Sequence, residues 1–243
     1  MGRSFPATIV LVHGAWHGSW CWDDVVAGLR ARGFVTVAVD LPSRSGQGSI
    51  AADAAFVRAV IEGVAGEVVV CGHSYGGCVI TEAAAGLPAV THLVYLAALM
   101  LDLGESAMRS VEVDVAPGST DLEHAIVVGA DGMITLDPET AVAAFYADAS
   151  PERAAAATAQ LTPQPGATLA ESVSAVAWRG IPSSYVVCTE DRAVPVAVQR
   201  ALAERATAVV EWDTSHSPFL SRPDLVVDLL ADLADRSQPP GTV

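Results

Sequence analysis

One stretch constrains this chain more than any other: Val68-Val69-Val70-Cys71-Gly72-His73-Ser74-Tyr75-Gly76-Gly77. The β-branched run at its start reads as a buried strand. It breaks off into two glycines flanking a serine, and an alanine-rich, helix-compatible segment follows. Gly72, Ser74 and Gly76 satisfy G-x-S-x-G, a pattern that sets a serine on a sharp strand-to-helix turn. In so tight a turn a Cβ at either glycine would collide with neighbouring backbone, and the serine is expected in a strained conformation that pushes its hydroxyl outward. The helix that follows aims unpaired N–H groups at the same place and favours negative charge there. Five residues alone arise by chance; the strand before and the helix after give them meaning.

Similar alternation runs through the first hundred residues. Thr8 to Val12 is a continuous apolar run, the signature of a strand buried on both faces, and it ends in His13-Gly14-Ala15-Trp16-His17-Gly18. Asp23 and Asp24 open a helix that Gly33 stops, and Val35 to Val39 reads as a second strand ending at Asp40. Ser49 caps a helix whose Ile50, Ala54, Val57, Ile61 and Val64 share one face, and His92 to Leu99 reads as a strand after the serine turn and its helix. Such alternation implies a parallel sheet covered by helices on both sides, with ligands bound outside the carboxyl ends of the strands.

Between about Asp102 and Arg179 the rhythm breaks. A hairpin is expected over Ile126 to Leu136, turning at Gly129-Ala130-Asp131-Gly132. Asp137-Pro138-Glu139 and Ser150-Pro151-Glu152 each open a short helix, and Gln164-Pro165-Gly166 ends the second. Core-like alternation resumes with Ser184 to Cys188, a helix begun near Pro195, a strand over Val209 to Trp212 and a helix from Ser221. The expected organisation is one α/β core in two parts, 1–101 and 180–243, with 102–179 an inserted, mainly helical cap over the crevice.

A serine hydroxyl is a poor nucleophile near neutral pH and needs a base, itself oriented by a carboxylate. Asp191 follows one late strand and His216 the last, so the order Ser74, Asp191, His216 is the one that accompanies this kind of turn. Glu190, Asp213 and Asp102 are rival acids. His13 is expected to fix its loop by hydrogen bonding and His73 to pack behind the site. Trp16, His17, Phe145, Tyr146 and Trp178, with Met133, are the candidates for the pocket wall, although aromatic residues would pack at those places in any case.

The formal net charge of −15 opposes binding to nucleic acid. Cys21, Cys71, Cys78 and Cys188 lack a metal-ligand spacing and read as reduced, hence a cytoplasmic protein with no metal. No glycine pattern suits a dinucleotide, so no cofactor is expected. No signal peptide is read, and no apolar run approaches the ~18 residues that span a bilayer. The expected partner is a small molecule, neither nucleic acid nor membrane; a homodimer stays open.

With these residues in place, the chain resembles the α/β-hydrolase superfamily over nearly its whole length. The segment Leu11-Val12-His13-Gly14-Ala15-Trp16-His17-Gly18-Ser19-Trp20-Cys21-Trp22 is similar to a narrower branch, that of plant methyl esterases, hydroxynitrile lyases and bacterial small-ester hydrolases such as pyrethroid hydrolases. The resemblance implies the α/β-hydrolase fold. The chain starts near the third strand of the superfamily's eight-stranded sheet, so about six mostly parallel strands are expected. It implies Ser74 as nucleophile, His216 as base, Asp191 as its orienter, and the backbone N–H groups of Ala15 and Tyr75 as the oxyanion hole. Two positions depart from the branch's lyases: Ser217 stands where they place a lysine, and Gly14 where they use a threonine. Without an ammonium for the leaving cyanide, hydrolysis of a small, largely apolar ester is the expected reaction. A carbon–carbon lyase, a cofactor-free oxygenase and a slow-turnover ligand receptor on the same scaffold are the alternatives.

Overall fold

A computed structural model describes residues 7–46, 48–109 and 120–236. The first part of the chain forms β1 (Thr8–Val12), α1 (Asp23–Ala31), β2 (Thr36–Val39), α2 (Ile50–Glu62), β3 (Val68–His73), α3 (Gly76–Ala83) and β4 (Val90–Leu96). The middle carries α4 (Asp121–Ala125), β5 (Ile126–Val128), β6 (Met133–Leu136), α5 (Pro138–Phe145), α6 (Pro151–Thr158), β7 (Gln164–Pro165) and α7 (Gly166–Ala170). Then come β8 (Ser183–Cys188), α8 (Val196–Ala203), β9 (Ala208–Trp212), α9 (Pro218–Ser221) and α10 (Pro223–Arg236).

Six strands form one sheet in the order β2-β1-β3-β4-β8-β9, every neighbouring pair parallel. Side chains alternate between faces along a strand, and both faces are covered. Val10, Val12, Val68 and Val70 pack on one side among residues of α2 and α3. Ile9, Leu11, Val69 and Cys71 pack on the other among residues of α1 and α10. Double coverage is why these strands read as unbroken apolar runs. Ser49 caps α2 as expected, its hydroxyl accepting from the N–H of Ala52 at 3.1 Å.

The register aligns the carboxyl ends: Val12 lies beside Gly72, His73 beside Leu96, and Cys188 beside Trp212. The loops after β1, β3, β4, β8 and β9 therefore leave the sheet on one side.

Several boundaries differ from expectation. β4 runs from Val90 to Leu96, not from His92 to Leu99, because Ala97 takes φ +45° and turns the chain out of the sheet. Gln164 and Pro165 do not stop a helix: α6 ends at Thr158, and they form β7, which pairs antiparallel with β6. The hairpin of β5 and β6 is thereby a three-stranded sheet. Helices α4 and α7 are additional to the two expected. α4 is opened by a capping box in which Thr120 and Glu123 satisfy each other's backbone N–H. Residues 110–119 of the expected cap lie outside the described residues. No helix among the described residues is long and apolar enough to cross a membrane.

Candidate active site

β3 ends in a turn that two glycines make possible. A Cβ on Gly72 would lie 2.5 Å from the carbonyl oxygen of Gly76, and one on Gly76 would lie 2.6 Å from that of Val12. Both obstacles are backbone and cannot swing away. Between them Ser74 takes φ +52°, a left-handed conformation that costs a non-glycine residue about 1–2 kcal/mol. Backbone bonds hold it there: its N–H donates to Leu96 at 3.2 Å, and its carbonyl accepts from Gly77 at 2.9 Å and Leu99 at 3.1 Å. The early end of β4 thus frees the Leu99 N–H to lock the serine turn. Gly14 lies against the same serine, since a Cβ there would come within 2.9 Å of both Ser74 Cβ and His73 Nδ1. A side chain at position 14 would therefore have to displace one of these neighbours.

Across the crevice, His216 and Asp191 are buried in the loops after β9 and β8, and His216 Nδ1 donates to Asp191 Oδ2 at 2.7 Å. Three more donors hold the carboxylate. Oδ1 accepts from the N–H groups of Ala193 at 2.7 Å and Val194 at 2.9 Å; Oδ2 accepts from Gln199 Nε2 at 2.7 Å. Gln199, fully buried on α8, also accepts from the N–H of Cys188 at 3.0 Å. Sequence reasoning missed it, yet a signal was present: it shares the inward stripe of α8 with Leu202 and Ala203, where an amide needs partners. The rival acids lie elsewhere. Asp102 pairs with Arg179, Asp213 accepts from the Thr189 hydroxyl, and Glu190 is exposed.

Two further rings support His216. His73 is buried with its ring centroid 4.6 Å away, and its Nε2–H donates to the His216 carbonyl at 2.9 Å. Burial, reinforced by the neighbouring histidines, pushes the His73 pKa well below 6.5 and keeps the ring neutral. Phe145 stacks on His216 with centroids 5.4 Å apart.

The loop after β1 and the turn after β3 each present a free backbone N–H group. No described residue accepts from the N–H of Ala15 or of Tyr75. His13 Nδ1–H donates to the Gly14 carbonyl at 2.8 Å, while its Nε2 accepts from the N–H of Leu41 at 3.1 Å. Because a trans peptide places C=O and N–H on opposite sides, holding the Gly14 carbonyl turns the Ala15 N–H the other way. Both His13 contacts need a neutral ring, and burial lowers its pKa to about 4. Under the serine turn, the buried Tyr75 hydroxyl donates to Asp53 Oδ2 at 2.9 Å, and burial raises the Asp53 carboxyl's pKa.

A cavity of about 390 Å³ opens over half-buried Ser74, with Ala15, Trp16 and Tyr75 at its base and Leu99, Leu122, Ile126, Leu169 and Val198 in its walls. Glu123 is the one charged side chain among its described lining residues. Of the five side chains expected to wall it, Trp16 does so. His17, Phe145 and Tyr146 are instead packed against one another behind the cavity, with centroids 5.3–5.9 Å apart. Trp178 turns away as well, its indole N–H donating to the Leu101 carbonyl at 2.8 Å. Met133 borders a separate open groove beside Arg44. Among the described residues no cluster of His, Cys, Asp and Glu could hold a metal ion, and all four cysteines are free and buried.

Residues 9–229 match the Alpha/beta hydrolase family. The chain belongs to that family. This alpha/beta hydrolase is 31% identical to the alpha/beta hydrolase nvfD of Aspergillus novofumigatus, over 93% of the chain and 96% of that protein. It is 29% identical to methylesterase 7 of Arabidopsis thaliana, over 97% and 99%. Among solved structures it is similar to a pyrethroid hydrolase from Sphingobium faniae, with TM-score 0.82 and 25% identity, covering 95% of this chain and 98% of that one.

Proposed function

We propose that this alpha/beta hydrolase is a cofactor-free serine esterase for small, neutral, largely apolar carboxylic esters. The buried pair of His216 and Asp191, held by four donors on the carboxylate and set on the same side of the sheet as the strained Ser74, carries the proposal. Ser74 Oγ attacks the ester carbonyl as His216 Nε2 takes its proton, and Asp191 stabilises the imidazolium. The N–H groups of Ala15 and Tyr75 hold the oxyanion, each such donor being worth about 3 kcal/mol. His216 then returns the proton to the departing alcohol, and activates a water that frees the acid from Ser74.

The apolar cavity, and relatives named for methyl esters and pyrethroids, support this substrate class. In this reading residues 102–179 are the cap that sets specificity, between core parts 1–101 and 180–243. The four unpaired buried thiols fit a reducing, cytoplasmic setting. A lyase that needs an ammonium beside the base is disfavoured, because the chain contains no lysine at all. The test is covalent labelling by a fluorophosphonate: the wild type labels and Ser74→Ala does not. A wild type that fails to label, or a Ser74→Ala variant that keeps its ester turnover, overturns the proposal.

A further inference from the structure

Ala15, which in the esterase reading supplies one oxyanion donor, is pinned on both sides by its own loop, and one of those two pins is itself held from elsewhere in the chain. His13 and the N–H of His17 hold the Gly14 carbonyl, which precedes Ala15. The Ala15 carbonyl, which follows it, is taken by the His17 ring: Nδ1–H donates to it at 2.8 Å. A carbonyl only accepts, so the proton sits on Nδ1. The neutral ring then offers Nε2 as an acceptor, and the Tyr146 hydroxyl donates to it at 2.8 Å. His17 and Tyr146 are both 1% exposed. Burial takes the His17 pKa down to about 3, so the ring stays neutral across the physiological range.

The next residue shows that the loop needs such support. Trp16 takes φ +63°, which a tryptophan avoids unless its surroundings impose it. Its indole N–H donates to the Ile134 carbonyl at 2.9 Å, its carbonyl accepts from the N–H of Thr162 at 2.9 Å, and its N–H reaches Gln164 Oε1 at 3.4 Å. Each of these partners, like Tyr146, comes from the stretch between β4 and β8. The loop after β1 therefore takes its shape from a segment more than a hundred residues away.

We infer that His17 and Tyr146 are positioning residues for the reaction: Tyr146 fixes the His17 ring, and His17 fixes the peptides around Ala15 so that its N–H meets the developing oxyanion. The inference rests on the esterase reading. Without the Tyr146 hydroxyl, Nε2 of a buried imidazole has no partner, and the ring is free to rotate or change tautomer and release the Ala15 carbonyl. The inserted segment then does more than wall the pocket, since its seating completes the oxyanion site.

The experiment compares Tyr146→Phe, His17→Asn and His17→Leu with the wild type. Tyr146→Phe deletes one oxygen and keeps the ring. His17→Asn keeps a donor near the place of Nδ1; His17→Leu removes it. Two quantities are measured: kcat and KM on a neutral p-nitrophenyl ester, and inhibition by phenylboronic acid, which becomes a tetrahedral anion on a nucleophilic serine. Tyr146→Phe is expected to lose about tenfold in both kcat and boronic acid affinity with KM within about twofold, a fraction of the loss for deleting a whole donor. His17→Leu is expected to lose about a hundredfold, and His17→Asn to regain most of it. Melting temperature is read alongside; should His17→Leu not fold, Tyr146→Phe decides alone. An active wild type with Tyr146→Phe unchanged in kcat and inhibition, or with a loss confined to KM, overturns this inference and leaves the esterase reading standing. A wild type inert to both ester and boronic acid overturns the esterase reading and this inference with it.

Discussion

Gln199 places its amide 2.7 Å from Asp191 Oδ2, the same oxygen that accepts from His216 Nδ1. The glutamine thus sets the angle at which the carboxylate meets the imidazole, while its own oxygen satisfies a β8 N–H. Gln199→Leu is expected to lose about 1–3 kcal/mol of stability, from unpaired buried groups, and about tenfold in kcat. Gln199→Glu should be worse in both, because it sets a second carboxylate against Asp191 in a buried site. Denaturant titration and steady-state kinetics on one ester check the order.

The contact between Gly14 and Ser74 allows a steric prediction. An alanine at position 14 must push either the Ser74 Cβ or the His73 ring, each 2.9 Å from the new methyl. Gly14→Ala is expected to lower kcat more than tenfold at a stability cost of about 1–3 kcal/mol. Gly180→Ala is the control, for its Cβ would meet nothing within 4 Å. Equal activity in the two variants would show that the loop after β1 does not bear on the serine.

What the sequence made legible followed from local signals. Apolar runs marked the six sheet strands, glycines marked the serine turn, and Ser74, Asp191 and His216 each stand just beyond a strand. What escaped it depended on distant partners. Nothing near Tyr146 announces a bond to His17, 129 positions earlier in the chain. Nothing near Gln164 shows that it will pair with Ile134 in a strand. The aromatic residues Phe145, Tyr146 and Trp178 were visible as large side chains to be buried. Which way each faces is set by how the middle helices dock, and that is not a local property.

Buried neutral histidines make the fold sensitive to acid. His13 and His17 have folded pKa values of about 4 and about 3, and His73 lies well below 6.5, all through burial. In the unfolded chain each returns to about 6.5. Between that value and the folded ones, the unfolded state binds more protons, so stability falls as pH falls. Each histidine contributes up to about 1.4 kcal/mol per pH unit in that window. The stability is fully present above pH ~7 and is lost progressively below ~6.5. Urea midpoints at pH 7.5, 6 and 5 should fall in that order; a midpoint unchanged between 7.5 and 5 would contradict neutral burial of all three rings.

The last prediction concerns charge in the cavity wall. Glu123 is exposed, lines the cavity over Ser74, and is the one charged side chain among the described residues there. A substrate bearing a carboxylate therefore meets repulsion with no cation among the described lining residues to offset it, and the chain's net charge of −15 acts in the same direction. Glu123→Gln removes the charge yet keeps the helix start, because glutamine serves the same place in a capping box. An exposed charge is screened by solvent, so the gain is modest: about three- to tenfold in kcat/KM for a hemisuccinate ester, and less than about twofold for the matched neutral acetate. The difference should shrink when ionic strength rises from about 0.01 M to 1 M, as the screening length contracts from about 30 Å to about 3 Å. If both esters gain equally, the effect lies in the packing of α4 and not in charge.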